Sequence, residues 1–319
     1  MASLLKKWER REAEGGNKGG PAVKRQTTVL AVLVGLSVVG GAPAGTVTWD
    51  GDTSVLFTNS ANWVGDVAPA NDKVSDLALF SGALTPYLPE VSVDRSVAGI
   101  RWDSAGWTLG STNGGNGNVP LKLSVSNGVA GDAYALNLNA AGRVSVAAQL
   151  GLYGTNSCVN VVSGGTLTLQ SLLLNAGPAP AMLVKSGDGT LVLGSGLGIA
   201  GSGNGSIQLQ AGTLKLAGGP SVLGNGTAYY CLRLLSGATL DLNGNGQYMN
   251  DSYASPVYYV LEGSGGTVVN SDPYRAAPLC LYVGGTSGHT NIGTFSGQLR
   301  GNLSLWWAGN PASLYLDSG

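Results

Sequence analysis

The chain has 319 residues, 52 of them glycine, with 11% charged and 43% hydrophobic residues and a formal net charge of −1. Ample Leu and Val with little charge argues against a disordered polymer, and glycine that does not follow a Gly-X-Y period argues against collagen. Beyond residue 44, ten Lys/Arg stand against fifteen Asp/Glu, a net charge of −5. The ten cations are scattered, which disfavours nucleic acid as a partner, since that affinity rests on clustered Lys and Arg.

In chain order, the first 27 residues hold seven Lys/Arg and three Glu. An apolar run from Thr28 to Val39 follows, then Gly40-Gly41-Ala42-Pro43-Ala44. A basic stretch, a short apolar run and an Ala-x-Ala site predict an export signal over 1–44, engaged by the export machinery and cleaved after Ala44. An uncleaved anchor is the alternative, although the run is short against a membrane span of roughly 20 residues.

Residues 45–82 differ in composition, with Trp49, Phe57, Trp63, Phe80 and five aspartates. A buried Trp49–Trp63 pair closing the open end of a core is one reading. An aromatic platform for sugar is the other.

From 83 to 319 a phrase recurs: a small or turn residue, Gly, Thr, then two apolar residues around a variable one. It appears as Gly165-Thr166-Leu167-Thr168-Leu169, Gly189-Thr190-Leu191-Val192-Leu193, Gly212-Thr213-Leu214-Lys215-Leu216, Ala238-Thr239-Leu240-Asp241-Leu242 and Gly266-Thr267-Val268-Val269. The threonines lie 24, 23, 26 and 28 residues apart. Between them Val159/Val161, Ile207/Leu209 and Leu232/Leu234 alternate with polar or small residues, as strands with one buried face do. Strands of four to six residues separated by Gly, Asn and Ser corners predict an all-β, single-stranded parallel β-helix. About ten coils at ~4.8 Å each give a rod on the order of 45–50 Å.

Few residues offer chemistry. Cys158 and Cys231 each lie eight residues before a repeat threonine, three repeats apart. That places them roughly 14 Å apart, too far for a disulfide, so free thiols in apolar packing are expected. Gly196 to Gly201 satisfies a G-x-G-x-x-G pattern, but another strand follows where a dinucleotide site needs a helix, so no cofactor is expected. Asp241, Asn243, Asn245 and Asp251 resemble half of a calcium loop, with Ser252 where a bidentate Glu is needed. A strand running into an Asn-Gly corner explains the same residues, and weak calcium binding is the alternative. Asp251, Asp272 and Arg275 form the one mixed-charge cluster, amid Tyr253, Tyr258, Tyr259 and Tyr274. It reads as a solvated loop, with glycan contact by Tyr253, Tyr258, Tyr274 and Arg275, or carbohydrate catalysis, as sharper readings. His289 is the sole histidine, so a Ser-His-Asp triad would have to use it; Asp317-Ser318-Gly319 offers a serine with nothing to build an oxyanion hole, and a surface-loop histidine is expected.

The runs Gly237–Gln247 and Leu183–Leu193 resemble the signature of autotransporter-associated β-strand repeat proteins. The stretch Gly293–Gly301 resembles the phrase that leads into another such repeat, and Trp49-Asp50-Gly51 with Asn62-Trp63 is similar to the start of many bacterial surface proteins of that group. The resemblance covers most of residues 46–319. It implies a right-handed, pectin-lyase-like β-helix, exported to the surface of a Gram-negative-type cell or beyond. The implied function is a non-catalytic structural or adhesin-like passenger or stalk, with surface glycans or host and neighbour-cell proteins as partners. Two departures stand out. Trp306-Trp307-Ala308-Gly309-Asn310 replaces the expected Lys-x-Gly-x-Gly phrase. The family's terminal outer-membrane barrel does not follow, so a fragment of a longer polypeptide, or export by another machine, is expected.

Overall fold

A computed structural model describes residues 45–111, 122–126, 134–154, 156–175, 181–194, 197–200, 205–219, 222–223, 229–247, 258–282 and 294–308. Every described residue belongs to one compact unit, Gly40–Gly319. The export signal read over residues 1–44, and Asp251, Tyr253, Gly196, Gly201 and His289, lie outside the described residues.

This unit is a parallel β-solenoid. One sheet, here sheet one, stacks eleven strands strictly in chain order, from Gly45–Thr48 and Asp76–Phe80 through Gly99–Trp102, Leu136–Leu138, Asn156–Val161, Met182–Ser186, Gly205–Leu209, Tyr229–Leu234, Tyr258–Glu262 and Ala277–Tyr282 to Leu303–Ala308. Sheet two has twelve strands. Its main path runs from Glu90–Val91 and Thr108–Ser111 through Gly142–Tyr153, Gly165–Asn175, Thr190–Leu193, Thr213–Leu216, Thr239–Asp241 and Thr267–Asn270 to Gln298–Gly301. The strand-to-strand pairings are parallel, as a chain that always advances one rung per turn requires.

Of the eleven rungs in sheet one, two precede residue 83, leaving nine against the ten expected. Six consecutive turns, those whose sheet-two strands run from Gly142–Tyr153 to Thr267–Asn270, form the regular stretch.

The repeat threonines fall in one column. Thr166 pairs with Thr190, Thr190 with Thr213, Thr213 with Thr239, and Thr239 with Thr267. Period-two alternation then turns the next residues inward: Leu167, Leu191, Leu214, Leu240 and Val268 are each fully buried. Sheet one supplies the opposite wall with Leu183, Ile207, Leu232 and Leu261. Each such side chain contributes about 1.5–3 kcal/mol from burial.

The glycine before the threonine is fixed by geometry. Gly212 has φ +64°, and a Cβ there would lie 2.4 Å from the carbonyl oxygen of Gly189 on the preceding coil. One coil earlier the left-handed residue is Gly187, three positions before Thr190 rather than one, with φ +72°; a Cβ there would lie 2.3 Å from the Val161 oxygen. The corner is both left-handed and stacked carbonyl on glycine, so no side chain fits.

Two strands are longer than the four to six residues expected. Gly142–Tyr153 has 12 residues and Gly165–Asn175 has 11. Both continue past the usual corner. The pairing steps from Leu169↔Val146 to Ser171↔Gln149, so the earlier strand carries one extra residue there. That bulge bends the ladder without a glycine turn. Beyond it the same strands pair with Lys122–Ser126 and Leu197–Ala200.

The first coils are filled by rings. Trp49 and Trp63 are 1% and 0% exposed, edge to face with centroids 5.1 Å apart. Phe57 and Phe80 pack on the Trp pair, and Phe80 continues to Trp102 and Trp107. The indole N–H of Trp63 donates to Phe57 O at 2.9 Å, and that of Trp49 to Tyr87 O at 3.1 Å. With both rings buried and both N–H groups satisfied, the Trp pair packs the core and offers no platform to a sugar. Sheet one already includes Gly45–Thr48 and Asp76–Phe80, so the ladder starts within residues 45–82.

Candidate functional site

The residues singled out for chemistry lie largely at corners, where strand ends leave carbonyls and amides to be satisfied. Asp241 ends the strand Thr239–Asp241 and is 6% exposed. Its Oδ1 accepts from Asn243 N at 2.9 Å and Ser271 N at 3.1 Å. Its Oδ2 accepts from Ser271 Oγ at 2.8 Å and lies 3.5 Å from Lys215 Nζ on the preceding coil.

Asn243 and Asn245 sit beside it, as the calcium reading requires, but their amide nitrogens turn toward carbonyls. Asn243 Nδ2 donates to Leu216 O at 2.9 Å. Asn245 Nδ2 reaches Leu216 O, Leu242 O and Asn243 O, and its Oδ1 accepts from Gly219 N at 2.9 Å. A calcium ion gathers about six to eight oxygens; here the oxygens of Asp241 and Asn245 already have donors. Among the described residues no group of three or more His, Cys, Asp or Glu converges on a common point. The corner continues through Gln247, fully buried, whose Nε2 donates to Asn245 O and Gly246 O while Oε1 accepts from Leu223 N. Asn270 does the same one coil on: Nδ2 donates to Arg275 O and Asn302 O, and Oδ1 accepts from Gly244 N at 2.8 Å.

Asp272 and Arg275 come together as expected, with Arg275 Nε 2.9 Å from Asp272 Oδ2. Asp272 Oδ1 also accepts from Tyr274 N and Arg275 N. These backbone donors hold its carboxyl below the ordinary aspartate range, the opposite of what a general acid needs. Tyr274 stands out from the turn at 92% exposed. Tyr258 opens the strand Tyr258–Glu262.

Leu197–Ala200, inside the glycine pattern, is a strand paired with Leu172–Asn175. No helix starts in it to hold a pyrophosphate.

Cys158 and Cys231 are free and half-buried, alternating with the inward Val159 and Leu232. Cys158 lies in the column of Val184, Gln208 and Arg233, while Cys231 lies in that of Ser206 and Met182. They are three rungs apart and two residues out of register. Burial and the neighbouring Glu262 carboxylate push the Cys231 thiol up to about 12, and burial raises Cys158 as well.

Lys185 was not among the candidates. It is fully buried and sits in the inward column between Val159 and Leu209. Its Nζ donates to Ser186 O at 2.7 Å, Gly187 O at 2.6 Å and Ala211 O at 3.2 Å, so one ammonium clamps carbonyls of two successive corners. Burial lowers it to about 8, against a smaller opposing pull from Asp188. The sequence offers only its place in the alternation, two residues after the inward Leu183.

No protein-family model, no curated protein and no solved structure matches this chain. No helix among the described residues is long and apolar enough to cross a membrane.

Proposed function

We propose that the chain is a non-catalytic exported passenger or stalk of the autotransporter-associated β-strand repeat type. It presents the faces of its solenoid at or beyond the surface of a Gram-negative-type cell, to glycans or to proteins of neighbouring or host cells. One observation carries this reading: among the described residues, the ionisable groups Asp241, Asp272 and Lys185 are used to close corners. Supporting it are the stacked Gly-Thr-Leu register and the signal-like sequence of residues 1–44. The test is expression of the full chain with a C-terminal epitope in a Gram-negative host, followed by fractionation and protease shaving of intact cells. Epitope at the surface or in the medium is expected; retention in the cytoplasm overturns export. Release of reducing ends or unsaturated products from polysaccharides overturns the non-catalytic reading.

A second reading, glycan contact in residues 248–275, is favoured by the protruding Tyr274 beside Arg275. It predicts hits on a glycan array that disappear in Tyr274→Ala.

A further inference from the structure

Asn243-Gly244 is a dipeptide prone to self-modification, because a glycine leaves the following backbone nitrogen unhindered. In that reaction the Gly244 nitrogen loses its proton and attacks Cγ of Asn243. A C–N bond forms, the Cγ–Nδ2 bond breaks, and ammonia leaves. Water then opens the succinimide to aspartate or isoaspartate, so one amide and one water become one carboxylic acid and one ammonia.

In the solenoid both reacting ends are held by different coils. The Gly244 N–H is donated to Asn270 Oδ1 at 2.8 Å, from the following coil. The leaving amide of Asn243 donates to Leu216 O at 2.9 Å, from the preceding one. The dipeptide is pinned in the left-handed region, with φ +46° at Asn243 and +74° at Gly244. Asn243 itself is only half-buried, so water reaches it. The product is incompatible with this corner. A carboxylate at 243 has no proton to give Leu216 O. It also stands beside the Asp241 carboxylate, since Ser271 Oγ is 2.8 Å from Asp241 Oδ2 and 3.5 Å from Asn243 Oδ1.

We propose that Asn243 is a latent self-modification site, kept unreacted by the Asn270 amide of the next coil, and that its conversion to a carboxylate loosens the solenoid from this corner onward. Closing the ring requires breaking the Gly244–Asn270 bond, and a hydrogen bond of ordinary strength corresponds to about tenfold in rate.

The experiment is site-resolved peptide mass analysis of the folded chain after prolonged incubation at mildly alkaline pH, with the urea-unfolded chain as reference. Two variants separate guarding from general stability. Asn270→Ala removes the acceptor for Gly244 N–H. Asn270→Asp keeps an acceptor there but loses both Nδ2 donations. The expected result is little conversion at Asn243 in the folded wild type and in Asn270→Asp, and about tenfold faster conversion in folded Asn270→Ala. Equal rates in Asn270→Ala and wild type, or wild-type conversion at the unfolded rate, overturn the guard. If Asn270→Ala does not fold, amide hydrogen exchange at Gly244 of the wild type decides: slow exchange supports the guard and exchange at the unfolded rate removes it. Asn243→Asp, made directly, is expected to melt at lower temperature than wild type; an unchanged melting temperature overturns the loosening.

Discussion

Lys185 puts a charge in a column where nearby rungs put Val159, Leu209 and Leu234, and that makes stability depend on pH in a calculable way. In the folded chain its ammonium is lowered to about 8 by burial, against an ordinary value of 10.5. The fold therefore binds fewer protons at this site than the unfolded chain between those values, and stability rises with pH across that window. Below pH 8 the full penalty applies, about 3 kcal/mol for a shift of this size. Between pH 7 and pH 10, linkage gives a gain of about 2.5 kcal/mol. Lys185→Met replaces the ammonium with an uncharged group of similar length and removes the linkage, though it also leaves the Ser186, Gly187 and Ala211 carbonyls without this donor. The measurement is urea unfolding followed by circular dichroism at pH 7, 8, 9 and 10 on both proteins, in short incubations. Taking the difference between wild type and variant cancels the tyrosines and other lysines that titrate in the same range. That difference should move in favour of the wild type by about 2.5 kcal/mol from pH 7 to pH 10. A constant difference, or one that moves against the wild type, refutes the buried-ammonium argument.

Gly212→Ala should be destabilising by at least about 1–3 kcal/mol from the left-handed backbone alone, with the contact to Gly189 O adding to it; a melting temperature equal to wild type would sink the stacked-corner account. Trp63→Ala should cost about 3–5 kcal/mol, because a fully buried ring at the centre of an aromatic cluster is removed; thermal unfolding reads this directly, and a loss below about 1 kcal/mol would mean the first coils collapse around the gap. Cys231, with its thiol raised to about 12, should be alkylated by iodoacetamide at pH 8 much more slowly in the folded chain than in urea. Comparable rates would show a thiolate that the Glu262 environment does not suppress.

Much of the repeat region was legible because one rule operates at each rung. Glycine takes the left-handed corner, threonine starts the strand, and alternate residues turn inward, so Thr166, Thr190, Thr213, Thr239 and Thr267 had to stack. The two long strands were not legible. Their corner is made by a bulge opposite Leu169–Ser171 rather than by glycine, and Ala147 and Ala148 carry no signal for it. Lys185 was hidden by its type. In Leu183-Val184-Lys185 hydrophobicity suggests that the lysine faces water, whereas its column contains Val159, Leu209 and Leu234. Register identifies it and residue chemistry does not. At Asp241 to Gln247 the sequence left calcium ligation and corner formation open, because both use short polar side chains. Which atoms those side chains present depends on the carbonyl of Leu216 on the preceding coil, and the local sequence does not contain that information.

The corners and the faces obey different constraints, and this bears on where function can reside. Ion pairs along the outward columns, such as Arg233–Glu262, are at least partly solvated. Exposed pairs contribute about 0–1 kcal/mol each, so outward residues can change with little effect on the fold. A corner amide such as Asn245, with four bonds to backbone groups, cannot change without leaving buried carbonyls unpaired, each costing about 1–3 kcal/mol. Selection for recognition can therefore act on the outward columns while the corners keep the register. The inference is testable by charge reversal: Arg233→Glu with Glu262→Arg should retain the wild-type melting temperature, whereas Asn245→Asp should lower it. If the face variant unfolds as readily as the corner variant, the division of labour fails, and the outward columns must be counted among the elements that hold the coils together.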